Sequence, residues 1–83
     1  MKNGFMTDKE LHPYLEKMRC CAEQMPSAVP FRIEDLLSAE EWEDVTQYGH
    51  VTLGQQFKNE VDTGKIKDVH VYSEEKPKQY IHR

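Results

Sequence analysis

Histidines, cysteines and glycine-rich loops carry much of the chemistry of small proteins, and in this chain they are scattered. None of the four histidines belongs to the close pair of ligands that a zinc site needs, since they stand at positions 12, 50, 70 and 82. The two cysteines are adjacent, at positions 20 and 21, so a disulfide between them would be strained. The four glycines are isolated and form no phosphate-binding loop. The sequence therefore predicts a protein that is not an enzyme and that needs no metal or other cofactor.

Acidic side chains are concentrated in one short segment. Residues 34–44 contain six acids and no base, although the formal net charge of the whole chain is only -4 at pH 7. Their spacing lacks the alternating ligands and the central glycine of a calcium loop. A solvated helix face is the plainer interpretation, and the alternative is a surface that docks on a basic protein partner. The residues that would make this contact are Glu40, Glu41, Glu43 and Asp44.

Amide and lysine side chains suited to nucleic acid lie downstream of the acidic segment. Glutamine and asparagine can pair with the edge of adenine through two hydrogen bonds, and lysine can contact guanine or phosphate. On a DNA-reading helix, the base contacts would come from Gln55, Gln56, Lys58 and Asn59. The phosphate contacts would come from Lys65, Lys67, Lys76 and Lys78. Glutamines are equally ordinary on an exposed helix surface, so the pattern alone does not decide between the two interpretations.

The first element is a helix predicted over residues 8–25. Thr7 and Glu10 form a capping box, in which each side chain can bond the backbone N–H of the other residue. Pro26 and Pro30 end the helix, because two prolines so close together cannot continue it. Its apolar stripe exceeds what one small core is expected to bury, which favours a homodimer through this helix. The stripe consists of Leu11, Leu15, Met18, Ala22 and Met25.

A short strand and a second helix are expected next. Apolar residues alternate with other residues over 29–33, which is typical of a brief strand or an extended lead-in. Ser38 and Glu41 form a second capping box, which begins a helix that continues to about residue 45.

A third helix is predicted over residues 53–63, after a turn at residues 47–50 in which Gly49 is available for a positive φ. Thr52 resembles the cap of this helix. Gly54 indicates close packing against a neighbouring backbone. The apolar stripe of the helix consists of Leu53, Phe57 and Val61.

Two β-rich runs at the end of the chain predict an antiparallel hairpin. The runs cover residues 69–72 and 79–82 and flank a polar loop that contains Pro77. His70 and His82 would face each other across this hairpin and could hold a metal only weakly, and surface positions are the plainer interpretation.

The order of the elements predicts the fold class. A helix, a short strand, two helices and a C-terminal hairpin follow one another as in a winged helix-turn-helix protein. We therefore predict an α+β fold of this type in a single domain over residues 1–83, with a winged-helix-like core over residues 31–83.

A series of mainly apolar residues and glycines recurs from residue 31 onward: Phe31, Leu36, Leu37, Glu41, Trp42, Leu53, Gly54, Phe57, Val61, Gly64 and Tyr80. Their spacing follows F-x-x-x-x-L, then E-W, then L-G-x-x-F, and ends with an aromatic residue on the last strand. This pattern resembles a small bacterial family described only as a domain of unknown function. The resemblance leaves out the N-terminal helix. It implies a shared fold and an origin in bacteria or their mobile elements, and it implies no mechanism.

Length and composition exclude several other classes. A chain of 83 residues holds one domain, and 37% hydrophobic content is too high for wholesale disorder. No apolar run reaches the length of about 18 residues that a membrane span requires. The N-terminus lacks the apolar stretch of a secretory signal, so we expect a cytoplasmic protein.

Two functions of different classes remain open. The first is a winged-helix protein that binds duplex DNA or regulates a process through nucleic acid, and the order of the elements favours it narrowly. The second is a non-enzymatic module that binds or inhibits a basic protein through its acidic helix. The acidity of the second helix weighs against the first hypothesis, because affinity for phosphates comes mainly from lysine and arginine.

Overall fold

The fold consists of three helices followed by an antiparallel hairpin, which confirms the predicted α+β class. A computed structural model describes residues 4–75 and 78–83. The elements in chain order are helix α1 (Asp8–Glu23), a 3-10 helix (Ile33–Leu36), helix α2 (Ala39–Asp44), helix α3 (Gln47–Asp62) and strands β1 (Val69–Ser73) and β2 (Gln79–His82). None of the helices in these residues has the length and apolarity that crossing a membrane requires.

Helix α1 begins at the predicted capping box. The hydroxyl of Thr7 accepts a hydrogen bond from the Glu10 N–H at 3.2 Å, and the Glu10 carboxylate accepts one from the Thr7 N–H at 3.0 Å. The helix ends at Glu23, slightly before the predicted end. Its apolar side packs within the chain against α3 and the 3-10 helix. The stripe that favoured a homodimer is therefore covered without a second copy, and its buried members are Leu11, Leu15, Met18 and Ala22.

Helix α3 begins earlier than predicted. Its cap is Thr46, whose hydroxyl accepts a hydrogen bond from the Gly49 N–H at 3.0 Å. The predicted turn at residues 47–50 is therefore wrong, because these residues form the first turn of the helix. Thr52, the predicted cap, lies inside the helix and donates its hydroxyl to the Tyr48 carbonyl oxygen at 3.1 Å.

The two glycines of α3 have roles opposite to those predicted. Gly49 is buried in helical backbone, where an added Cβ would lie only 2.6 Å from Cγ1 of Val45. Its function is thus close packing, and no positive φ is involved. Gly54 has room, because an added Cβ would meet only Cδ1 of Ile33 at an ordinary 3.5 Å.

The predicted short strand is reduced to isolated bridges. Phe31 pairs antiparallel with Tyr80, with N–H to carbonyl distances of 2.8 and 2.7 Å in the two directions. Ser27 bridges His82 in parallel orientation. No longer strand forms there, since the backbone turns into the 3-10 helix at Ile33.

The register of the hairpin separates its two histidines. His70 pairs with Ile81, whereas His82 pairs with Val69. Because successive side chains of a strand point to opposite faces, the two imidazoles lie on opposite sides of the hairpin. The described residues contain no cluster of three or more histidine, cysteine or acidic side chains that could hold a metal.

Three aromatic rings form the centre of the core between α3 and the hairpin. Phe57 and Tyr80 contact edge to face with 4.8 Å between ring centroids, and Phe31 lies 6.3 Å from Tyr80. All three side chains are at most 2% exposed. Aromatic pairs in these geometries add to the stabilisation from buried area. This cluster connects α3, the bridge segment and β2, and so fixes the surfaces described next.

Candidate binding surfaces

The predicted DNA-reading residues lie on different sides of α3. Gln55 and Asn59 are exposed. Gln56 faces α1, where its amide donates to the Asp8 carboxylate at 3.2 Å. Lys58 faces the hairpin, where its ammonium contacts Glu74 at 3.6 Å. The four side chains therefore do not form one reading surface.

Lys58 is the only lysine or arginine of α3, and its ammonium is paired with two acids. Its ammonium donates to Asp62 at 2.8 Å and lies 3.6 Å from Glu74. The hydrogen bond to Asp62 is the main reason why the pKa of Lys58 is raised. The charge of Lys58 is therefore locally neutralised, which weakens the attraction of α3 for phosphate.

The predicted phosphate-contacting lysines are also divided. Lys65 borders a polar hollow with Asn59, Gln56 and residues of α1. Lys67 is exposed, and its backbone N–H donates to the Glu23 carboxylate at 3.0 Å. Lys78 borders a different depression, on the hairpin side of α3. Lys76 lies outside the described residues.

The acidic helix α2 is only partly engaged within the chain. Glu41 closes the predicted capping box with Ser38 and pairs with the Lys17 ammonium. The Lys17 contact, with help from Ser38, lowers the pKa of Glu41 to about 2. Glu40, Glu43 and Asp44 are exposed. Within the described residues, the side chains of Glu40 and Glu43 make no hydrogen bond and no ion pair.

An open, mostly apolar groove of about 340 Å³ lies between α2, α3, the 3-10 helix and β2. Trp42 and His50 stack in it, with 3.8 Å between ring centroids and 5° between ring planes. Nε2 of His50 lies 2.7 Å from the Trp42 carbonyl oxygen. Since a carbonyl oxygen only accepts, Nε2 is the donor and carries the proton. We call this depression the Trp42 groove; it is lined by Ile33, Trp42, His50, Val51, Gly54 and Tyr80 and bordered by Arg32, Glu34 and Lys78.

Exposed apolar side chains continue from the Trp42 groove along α3. Val51 lines the groove and is 58% exposed. Tyr48 lies almost one turn earlier, and its ring centroid is 5.1 Å from that of Phe5, which is 72% exposed. Phe5, Tyr48 and Val51 together are called the apolar strip. Large exposed apolar patches commonly mark interaction sites.

Sequence reasoning missed both the groove and the strip. The available signal was the pair Tyr48 and Val51, two apolar residues outside the predicted core stripes. Placing the start of α3 at Thr46 would have put both on the exposed side of this helix. The turn predicted there hid that signal.

Comparison with protein families gives one match. The model of a family described as a domain of unknown function, DUF1413, matches residues 16–81, which is most of the chain. The match begins inside α1, so the family includes the second half of the helix that the resemblance left out. No curated protein and no solved structure matches the chain. The chain therefore belongs to the DUF1413 family of domains of unknown function.

Proposed function

We propose that this protein is a non-enzymatic interaction module that binds a basic protein through its acidic helix α2. The observation that carries the proposal is a contrast between two charged surfaces. Lys58 on α3 is ion-paired with Asp62 and Glu74. Glu40 and Glu43 on α2 are exposed and make no such contact within the described residues.

The energetics of association support a protein partner. Exposed like charges attract an oppositely charged partner over roughly 10 Å at moderate salt and raise the rate of encounter. The acids of α2 lie within six consecutive residues that contain no base. Glu41 is fixed by Lys17, so the contact to the partner falls to Glu40 and Glu43. Such a surface repels nucleic acid.

The second candidate function is binding of duplex DNA by a winged-helix-like arrangement of α3 and the hairpin. The observation in its favour is that Gln55 and Asn59 are exposed on α3 and so are free to face base edges. Lys65, Lys67 and Lys78 would then contact phosphates. This candidate ranks second because the base of α3 is already paired with acids.

One substitution distinguishes the two functions by the sign of its effect. Lys78 borders the Trp42 groove near the hairpin and makes no ion pair within the described residues, so Lys78→Glu changes the charge without breaking an ion pair. If a basic protein is the partner, affinity for a lysine-rich helical peptide rises by about 2–5-fold. If DNA is the partner, affinity for a mixed-sequence duplex at low salt falls.

The experiment is a titration of both probes with the wild type, Lys78→Glu and the double variant Glu40→Gln/Glu43→Gln. The double variant is expected to weaken peptide binding by about 2–5-fold. Lys9→Glu on the exposed side of α1 is the control, since it makes the same change in net charge elsewhere. Salt-sensitive DNA binding that Lys78→Glu weakens, with no binding of the peptide, would refute the proposal.

A further inference from the structure

The Trp42 groove indicates that the basic partner also presents an apolar side chain. Resting on the proposed function, we infer that the groove receives an apolar side chain from an amphipathic helical segment of the partner protein. The basic residues of that segment lie against Glu40 and Glu43 of α2. The inference therefore specifies the chemistry of the segment that binds.

The size and lining of the groove fit one or two anchor side chains. A volume of about 340 Å³ is at the lower end of the range for binding pockets. The stacked rings of Trp42 and His50 give the groove a flat wall, and Ile33 and Tyr80 complete its apolar lining. Filling such a site with a leucine or phenylalanine side chain removes apolar surface from water on both molecules.

The apolar strip extends the Trp42 groove along α3, so the combined apolar surface is elongated enough for a helix to lie along it. Tyr48, Val51 and Gly54 follow one another at intervals of three residues along α3, so they lie on neighbouring turns. Phe5 extends the strip beyond Tyr48. A helix laid along such a surface presents anchors about one turn apart, which is the usual spacing when an amphipathic helix occupies a groove.

Charge favours a basic segment over a second copy of this chain. A second copy has the same net charge of -4 and the same exposed acids on α2. Of the two bases on the rim, Arg32 lies 3.6 Å from Glu34, whereas Lys78 makes no ion pair within the described residues. The two unpaired acids of α2, Glu40 and Glu43, outnumber this one unpaired base. Helix α2 contributes Trp42 to the groove, and Glu43 is the next residue. Helix α2 therefore contributes both an apolar wall of the groove and an acid that attracts the basic residues of the partner.

The test uses two lysine-rich peptides of identical composition, one with leucines on one helical face and one with scrambled order. Trp42 is the only tryptophan of the chain, so its fluorescence reports directly on the groove. Gly54→Phe fills the groove, and Gly54→Ala is the matched control because its Cβ has room. Val51→Asn, at a site that is 58% exposed, weakens the strip without endangering the fold.

We expect the amphipathic peptide to change Trp42 fluorescence and to bind at least about 10-fold more tightly than the scrambled peptide. Gly54→Phe should remove most of this difference and Val51→Asn part of it, whereas Gly54→Ala should leave it intact. If both peptides bind equally and Glu40→Gln/Glu43→Gln weakens both, the proposed role of the groove is refuted. The proposed binding of basic proteins by α2 would then still stand. If neither peptide binds, both the role of the groove and the binding of basic proteins by α2 are refuted. Self-association that Gly54→Phe abolishes would assign the groove to a second copy instead.

Discussion

Tyr80 links the core to the candidate binding surface. Its ring packs edge to face against Phe57, and its backbone pairs with Phe31. The same side chain lines the Trp42 groove. Burial raises the pKa of the Tyr80 phenol to about 12, because the phenolate would lose its hydration in this position. The ionisation of one residue therefore reports on the packing of the whole aromatic cluster.

The raised pKa of Tyr80 predicts a loss of stability at high pH. The ordinary pKa of a tyrosine phenol is 10.0, and that of Tyr80 in the folded chain is about 12, so the unfolded state releases its proton first. Stability from this group is fully present below pH 10.0 and is lost as the pH rises toward about 12. We expect the loss to reach about 2 kcal/mol. Tyr80→Phe should remove this part of the decline, as measured by urea unfolding across that range.

Tyr72 provides the control for that experiment, since it lies on the neighbouring strand and is 54% exposed. Tyr72→Phe should keep the steep decline of the wild type. An identical pH profile for the wild type and Tyr80→Phe would contradict the assignment. Titration of the lysine ammonium groups contributes to all three profiles, so only the difference between profiles is diagnostic.

Ion pairs between distant residues explain why charged positions were hard to interpret from the sequence. Arg19 donates two hydrogen bonds of 2.8 and 2.9 Å to the carboxylate of the buried Glu60, although the two residues are 41 positions apart in the chain. Lys58 meets Glu74 across the space between α3 and the hairpin. Local sequence patterns predicted which residues lie on the same helix. They could not predict that a base on one helix pairs with an acid on another element.

At the scale of elements, the two glycines of α3 give a matched pair of substitutions. Gly49→Ala places a Cβ 2.6 Å from the buried Val45, so we expect a destabilisation of about 1–3 kcal/mol. Gly54→Ala meets only Ile33 at 3.5 Å and should stabilise by up to about 1 kcal/mol through helix propensity. Thermal or urea unfolding of both variants measures the difference. Equal effects of the two substitutions would contradict the close approach at Gly49.

Capping boxes in the sequence predicted the starts of α1 and α2 correctly. Thr7 with Glu10 and Ser38 with Glu41 both form the predicted capping boxes. The predicted start of α3 was wrong, because Thr52 resembles a cap whereas Thr46 caps the helix. Thr46 reaches the N–H of Gly49, whereas Thr52 bonds back to a carbonyl of the preceding turn. Either role suits a threonine hydroxyl, so only packing decides between them.

The Trp42 groove could not be predicted from a local pattern, because four elements build it. Trp42 comes from α2, Val51 from α3, Ile33 from the 3-10 helix and Tyr80 from β2. The apolar nature of each residue was visible in the sequence, but apolar residues also fill the core. Which of them remain partly exposed depends on how the elements cross, and thus on long-range contacts.

At the scale of the whole molecule, charged pairs connect the elements that carry the surfaces. Lys17 joins α1 to α2 through Glu41, and Lys58 joins α3 to the residue that follows β1 through Glu74. Glu40 and Glu43 of α2 are exposed and make no ion pair within the described residues, so they form a net negative region, in agreement with the uneven charge of the sequence. The ion pairs between elements and the negative surface of α2 thus both follow from the uneven distribution of charged residues along the chain.

The last strand, β2, connects the bridge segment to β1 and completes the core, so its removal should unfold the chain. Strand β2 buries Tyr80 and Ile81, and its backbone bonds to Phe31 and Ala28 as well as to β1. Removing one large buried aromatic side chain costs about 3–5 kcal/mol, which is comparable with the total stability of a small domain. Deletion of residues 79–83 should therefore abolish the cooperative unfolding transition in circular dichroism. Tyr72→Ala, which truncates an exposed ring of the same hairpin, should retain it, and a sharp transition in the deletion variant would show that the helices fold without the hairpin.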